Sequence, residues 1–239
     1  ESIVELALQS LTLHRDYPDY VEANLSFHVE MTRSPLCQAV YKSSDCYDLT
    51  IGLMVEHNEA KSVCTPALLL LLNMAAGDAH CARFEKDDDL RVILNTLRFF
   101  VDKESVQAIG SQLLNTLASH VRVCARLIAL EAVHVMCEAV NRYQDNETIQ
   151  ICATHTLSHF TVEESCVMAM LNHGLVTTYL GVLAHFADNQ EVQRTVLEVM
   201  AVLCGTPMGC TTFFNENGLM CVFSAISAFP EDPMLLAFC

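Results

Sequence analysis

Acidic residues and glutamines recur along this chain at a fixed interval of 43 residues. The recurring acidic positions are Asp16, Glu59, Asp102, Asp145, Asp188 and Glu231, and the recurring glutamines are Gln107, Gln150 and Gln193. A period of about 40 to 47 residues with helical patterning is typical of stacked helical repeats, in which no repeat buries its apolar face alone. The period therefore predicts an all-α solenoid of about five repeats.

The longest predicted helix of each repeat carries three core positions at helical spacing. In the fifth of these helices they are Val196, Met200 and Leu203. Across the five helices, 13 of the 15 positions are apolar or glycine, and only Asn24 and His28 in the first helix are polar. Such agreement between the long period and the local pattern indicates that the repeats are structural units.

Composition fits a single uninterrupted solenoid. No linker rich in Pro, Gly or Ser divides the 239 residues, and 8 Gly with 6 Pro are too few for an all-β domain of this length. The 52% apolar content includes no Trp, which favours aliphatic packing of helix on helix. We expect one continuous domain over residues 1–239, a fragment of a longer chain with incomplete repeats at both ends. Apolar faces at such ends would permit self-association.

The charge balance bears on the class of partner. The formal net charge is −16, and only 13 Lys and Arg are scattered along the chain. Phosphate backbones are bound by clustered Lys and Arg, so nucleic acid is not an expected partner. A protein or peptide, with basic ones favoured, fits this charge better.

The cysteines and the apolar runs bear on the compartment. The 12 Cys lie within apolar helical runs without paired spacing, which is typical of reduced core residues in an intracellular protein. The longest aliphatic run, 67–72, is far shorter than the roughly 18 residues that a membrane span needs. We expect a cytoplasmic protein without membrane insertion, with the nucleus as an alternative location.

One segment carries the pattern of a known repeat. The sequence from Gly174 to Cys204 is GLVTTYLGVLAHFADNQEVQRTVLEVMAVLC, and it resembles the armadillo repeat. The matching positions are Gly174, Leu175, Val176, Leu180, Leu183, Asp188, Val192, Gln193, Met200 and Leu203. The resemblance covers the whole chain at the level of the period and is sharp from about residue 102 onward, and HEAT repeats remain an alternative.

The resemblance implies a right-handed α-solenoid of about five armadillo-like repeats, each with three helices. The third helices would line a concave groove that binds extended peptides or partner proteins. In nuclear-import adaptors of this family the groove carries Trp and, four residues later, Asn. The positions equivalent to Trp are Ser26, Leu69, Gln112, His155 and Glu198, and those equivalent to Asn are Glu30, Asn73, Thr116, His159 and Val202. Only Asn73 matches, which argues against an import adaptor.

The polar residues at these register positions are the predicted partner-binding residues. They are Glu30, Asn73, Gln112, Thr116, His155, His159 and Glu198. Polar side chains beside regularly apolar positions of the same helices are expected where a surface meets solvent or a partner.

Two further patterns bear on metal binding and docking. Cys152, His155 and His159 fall at i, i+3 and i+7 of one helix, which is a zinc-compatible set, but one helix supplies no fourth ligand. The charge run FEKDDD at 84–89 is typical of a solvated loop and, less often, of a docking site. No nucleophile with a base, carboxylate pair or glycine-rich phosphate loop appears. We expect no catalytic activity, no metal and no cofactor.

Three functional interpretations follow. The first is a scaffold for protein–protein interaction that binds a partner along the groove. The second is a regulatory armadillo region of a larger signalling enzyme, a kinase or a GTPase, and the third is a transport adaptor for basic cargo. The repeat supports the first, the interrupted ends hint at the second, and the acidity supports the third.

Overall fold

The computed structural model describes residues 3–34, 37, 40–41, 44–76 and 82–239. Every regular element among these residues is helical, and none of them lies in a strand. The predicted all-α fold is therefore confirmed.

From Ala82 onward, short connections join successive helices. The first helices are α1 (Ile3–Leu13), α2 (Pro18–Thr32), α3 (Cys46–Glu56), α4 (Lys61–Ala75), a 3₁₀ turn (Ala82–Glu85), α5 (Asp87–Phe99), α6 (Glu104–Ala118) and α7 (Val121–Ala129). The later helices are α8 (Ala132–Arg142), α9 (Glu147–Phe160), α10 (Glu164–Asn172), α11 (Leu175–His185), α12 (Gln190–Cys204), α13 (Pro207–Asn215), α14 (Gly218–Ala228) and α15 (Pro233–Phe238).

The 43-residue period sets where the long helices begin. Helices α2, α4, α6, α9, α12 and α15 start at residues 18, 61, 104, 147, 190 and 233, so each starts one period after the previous one. The chain is an all-α solenoid of stacked repeats, as the period predicts.

Two compact units make up the chain, Glu1–Arg126 and Leu127–Cys239. In the first unit α4 packs between α2 and α6, and in the second α12 packs between α9 and α15. The expectation of one continuous domain over residues 1–239 stays a prediction.

A buried glutamine closes each of three repeats. The Gln107 side-chain amide donates to the carbonyls of Leu97 (2.8 Å) and Phe100 (3.1 Å) at the end of α5. Gln150 and Gln193 repeat these bonds at the ends of α8 and α11, with distances between 2.7 and 3.0 Å. The last carbonyls of a helix have no partner within the helix, so each glutamine supplies a donor to one such carbonyl, that of Leu97, Val140 or Leu183. Its second bond goes to a carbonyl that also accepts from a backbone N–H, that of Phe100, Tyr143 or Phe186.

One of the two polar exceptions in the first long helix belongs to the core. His28 is fully buried at the register position that Leu71 and Leu114 hold in the next two repeats. Its Nδ1 lies 2.7 Å from the Tyr41 hydroxyl, whereas its Nε2 is buried with no hydrogen-bond partner among the described residues. Burial penalises the charged ring and lowers the pKa of His28 to about 4. The first repeat thus keeps the helix and replaces a leucine by a neutral imidazole.

The charge run FEKDDD is ordered, contrary to the expectation of a solvated loop. Phe84 is fully buried and its ring packs edge-on against Tyr47, and α5 already begins at Asp87. Acidic residues in a first turn interact favourably with the helix dipole. Asp87 also accepts from Arg126 at 2.7 Å, so the run is part of the packing of the first unit.

Candidate functional site

The predicted partner-binding residues fall on two faces, one in each unit. The first face consists of Glu30 on α2, Asn73 on α4, and Gln112 and Thr116 on α6. The second face consists of His155 and His159 on α9 and Glu198 on α12. All seven are at least partly exposed, so none of them is a core residue.

On the first face, Asn73 is held by the neighbouring repeat. Its amide nitrogen donates to the Thr32 hydroxyl at 2.9 Å and lies 3.4 Å from the Val29 carbonyl, both at the end of α2. These bonds use the two donors of the amide for packing α2 against α4. The one residue that matches the import-adaptor pattern therefore fixes a contact between repeats.

The other residues of the first face are bound more loosely. Glu30 is exposed and forms an ion pair with Arg33 at 3.0 Å. The Thr116 hydroxyl donates back to the Gln112 carbonyl at 3.0 Å within α6. Exposed pairs of this kind contribute little to stability, so these side chains can rearrange at low cost.

On the second face, His155 is the most constrained residue. Its Nε2 lies 3.0 Å from the Thr195 hydroxyl, which itself donates to the Glu191 carbonyl at 2.8 Å. Because a hydroxyl has one proton, His155 Nε2 must be the donor, which fixes the tautomer with the proton on Nε2. The imidazole thus bridges α9 and α12.

The electrostatic surroundings of His155 are mixed. Burial lowers the pKa of His155, the carboxylates of Glu198 and Glu191 oppose this, and Arg194 and His159 reinforce it. The neutral ring therefore lies between acidic groups of α12 and the exposed His159 of α9. This combination presents hydrogen-bonding and negative groups on one surface.

Sequence reasoning missed Thr195, Glu191 and Arg194. Thr195 occupies the position of Cys152 one period later, and Glu191 lies one turn before it. The available signal was the register itself, since a residue on one long helix is expected to meet residues near the equivalent position of the next. Only the structure shows which of them His155 contacts.

The set Cys152, His155 and His159 does not form a metal centre in the described part of the chain. No group of three or more His, Cys, Asp or Glu is arranged to hold a metal ion among those residues. Burial, together with the nearby Glu191, raises the pKa of the Cys152 thiol to about 11, and a metal ligand must be the thiolate.

No single helix among the described residues is long and apolar enough to cross a membrane. Helices α10 and α11 reach that length and composition only as a pair, and they bend by 71° at the break between them.

Comparison with known proteins identifies the repeat. A family model described as the LRRK2 ARM repeat matches residues 40–232. No curated protein matches the sequence significantly. Crystal structures of two engineered proteins from the Northeast Structural Genomics Consortium are similar, each with a TM-score of 0.68, at 15% and 16% identity. Both comparisons cover 100% of this chain, with 94% and 96% of the engineered chains, and they show the fold alone.

Proposed function

This chain belongs to the LRRK2 ARM repeat family, and from that premise we propose that it is a scaffold that binds a partner protein or an extended peptide along its long helices. The family is a repeat scaffold without catalytic chemistry. The binding residues in this proposal are those of the two faces, with the second face as the principal contact.

The observation that carries the proposal is the surface around His155. His155 donates to Thr195, and the carboxylates of Glu191 and Glu198 act on the same ring. Polar groups positioned by a rigid pair of helices suit recognition, since little conformational entropy is lost when a ligand binds them.

The charge of the chain indicates the chemistry of the partner. At a net charge of −16, the protein attracts basic segments over a distance, and Glu191 and Glu198 supply local acceptors for Lys or Arg. A basic segment that lies extended on α9 and α12 is the occupant we propose. A transport adaptor is disfavoured, because Asn73 uses its amide donors on α2.

The test is a triple substitution on the two faces. Changing Gln112, His155 and Glu198 together to Lys should weaken binding of a Lys- and Arg-rich peptide about fivefold or more, because exposed charges contribute about 0.2–1 kcal/mol each. Fluorescence anisotropy at low and high salt measures the affinity, and circular dichroism confirms that the helices are retained.

A matched control has the same change of charge elsewhere. Glu164 and Asn172 on α10 and His185 on α11 are exposed, and their joint change to Lys should leave the affinity within about twofold. If this control abolishes binding while the face variant is silent, the partner surface lies on the other helices.

A further inference from the structure

A cavity of about 360 Å³ opens between α3 and α5 in the first unit. Its apolar walls are Met54 and Val55 from α3 and Val92 and Phe99 from α5. Met54 is fully buried, whereas Val55 and Phe99 are 53% and 54% exposed. The cavity is therefore an apolar recess that is open to solvent.

The same repeat positions hold polar, hydrogen-bonded residues in the second unit. Two periods after Val55 stands Asn141 on α8, and two periods after Val92 stands Thr178 on α11. The Thr178 hydroxyl donates to the Asn141 side-chain oxygen at 2.6 Å, and the Asn141 amide donates to the His173 carbonyl at 2.9 Å. The fold thus tolerates a hydrogen-bonded pair at this junction, so it does not require the apolar residues Val55 and Val92 between α3 and α5.

The shape of the recess favours the side chain of a protein over a small molecule. Small-molecule sites enclose about 70–90% of the ligand surface, but here two of the four apolar walls remain half-exposed. A single apolar anchor inserted from a partner surface buries such walls without needing an enclosed pocket. Val55 and Phe99 would lose most of their exposed area on binding.

The polar rim of the recess indicates which partner residue lies next to the inserted apolar side chain. Asn58, Glu59 and Asn95 line it, and Asn95 accepts from Arg98 at 3.1 Å. Among the described residues no basic side chain pairs with Glu59, which is exposed. A carboxylate beside an apolar wall is complementary to a Lys or Arg beside an apolar side chain.

We propose that the recess between α3 and α5 binds an aliphatic or aromatic side chain of a partner protein, with an adjacent Lys or Arg of that partner pairing with Glu59. None of the seven residues of the two faces lines this recess. The site is therefore separate from the proposed function, and substitutions on the faces leave it intact.

The experiment selects peptides on the intact chain. A phage-displayed library of random 12-residue peptides is panned on the protein, with the double variant Val55→Asn, Val92→Thr as the counter-selection target. This variant places an Asn and a Thr at the positions equivalent to the Asn141–Thr178 pair and so replaces two apolar wall residues by a polar pair that the chain already contains elsewhere. The selected peptides are then synthesised, and their affinities are measured by fluorescence anisotropy.

The expected result is a shared apolar residue next to Lys or Arg, with affinity reduced at least tenfold by the double variant. Phe99→Ala, which removes an exposed wall, and Glu59→Lys should each reduce it about fivefold. The control is Val121→Asn with Val162→Thr, because these valines are 85% and 79% exposed and lie outside the recess. This control should leave the affinity unchanged.

Three results would overturn the proposal. The first is a failure to select any peptide, and the second is a set of peptides that bind the double variant as tightly as the wild type. The third is binding of a small apolar molecule alone. In that case indole shifts the NMR signals of the Val55 and Val92 methyl groups, and the selected peptides do not shift them.

Discussion

At the scale of single residues, the buried glutamines show how a period in the sequence becomes a period of hydrogen bonds. Gln107, Gln150 and Gln193 each donate twice to the end of a preceding helix. In the earlier repeat the position is held by Cys64, whose thiol lies 3.5 Å from the His57 carbonyl and is a weaker donor. The closure is therefore strongest where the resemblance to the armadillo repeat is sharpest.

Removing one glutamine should be costly. Gln107→Ala removes the donor to the buried Leu97 carbonyl, whereas the Phe100 carbonyl still accepts from the Lys103 N–H. We expect a loss of about 1–3 kcal/mol in the free energy of unfolding. Urea denaturation measures it. Gln112→Ala, a change of the same residue type on the same helix at a half-buried position, should cost less than about 1 kcal/mol. If the two variants lose the same stability, the two hydrogen bonds donated by Gln107 are unimportant.

His28 should make stability depend on pH. Its pKa is about 4 in the folded protein and about 6.5 when exposed, so the unfolded chain binds more protons between these values. Stability contributed by the neutral ring is complete above pH 6.5 and is lost as pH falls toward 4, by about 2–3 kcal/mol. The double variant His28→Leu, Tyr41→Phe, which leaves no orphaned hydroxyl, should flatten this part of the curve. Urea denaturation at pH 7 and pH 5 gives the stability of the wild type and of the double variant. If both proteins lose the same stability between these pH values, His28 is not the source of the pH dependence.

At the scale of elements, the sequence predicted the long helices well and the first turns poorly. The period predicted where α4, α6, α9 and α12 lie, because their apolar spacing is regular. The run FEKDDD was misjudged, since three consecutive Asp residues are typical of a loop until their helix-dipole position and the Arg126 pair are known. Local composition alone does not reveal a partner 39 residues away.

The candidate faces were predictable only in part, for the same reason. The register placed all seven residues on solvent-accessible positions of the long helices. It did not predict that Asn73 is bonded to Thr32, or that His155 donates to Thr195, because these bonds depend on side chains of neighbouring repeats. Whether the faces bind a partner stays a prediction.

The starts of three helices share an unusual backbone conformation. Glu131, Gly174 and Asn217 precede α8, α11 and α14 at successive periods, with φ of 58°, 72° and 59°. Glutamate in the left-handed region costs roughly 1–2 kcal/mol, whereas glycine loses about 0.5–1 kcal/mol in chain entropy. Glu131→Gly should therefore raise stability by about 0.5–1 kcal/mol in thermal or urea denaturation.

The reverse change provides the control for that prediction. Gly174→Ala places a Cβ where no atom lies within 4 Å, so only the backbone strain changes, and stability should fall by about 1 kcal/mol. Strain at positive φ requires that Glu131→Gly raises stability and that Gly174→Ala lowers it. A stabilising Gly174→Ala would refute the argument from φ.

At the scale of the whole molecule, the repeats leave unequal faces exposed. Val176 and Leu180 on α11 are 2% and 7% exposed, but the residues one period later on α14, Leu219 and Phe223, are 45% and 59% exposed. Met220 beside them is 69% exposed. A contiguous apolar surface of this kind favours association with another helical surface.

We therefore expect the isolated chain to self-associate through α14. The double variant Met220→Ser, Phe223→Ser should lower the association constant at least tenfold in sedimentation velocity while retaining the helical circular dichroism signal. The exposed pair Val121 and Val162, changed to Ser, is the control and should not alter association. Equal association by all three proteins would exclude this surface.

The glutamine closure also bears on how a chain of this type grows. Leu97, Phe100 and Gln107 lie within 11 consecutive residues, so the donor and both acceptors of the closure are inherited on one short segment. A duplication of any 43-residue stretch that includes this segment would carry its own closing bonds and would need no new partner elsewhere. Gene duplication can therefore lengthen the array in whole-repeat steps, whereas insertions of other lengths inside the segment would separate the amide from the carbonyls that it satisfies.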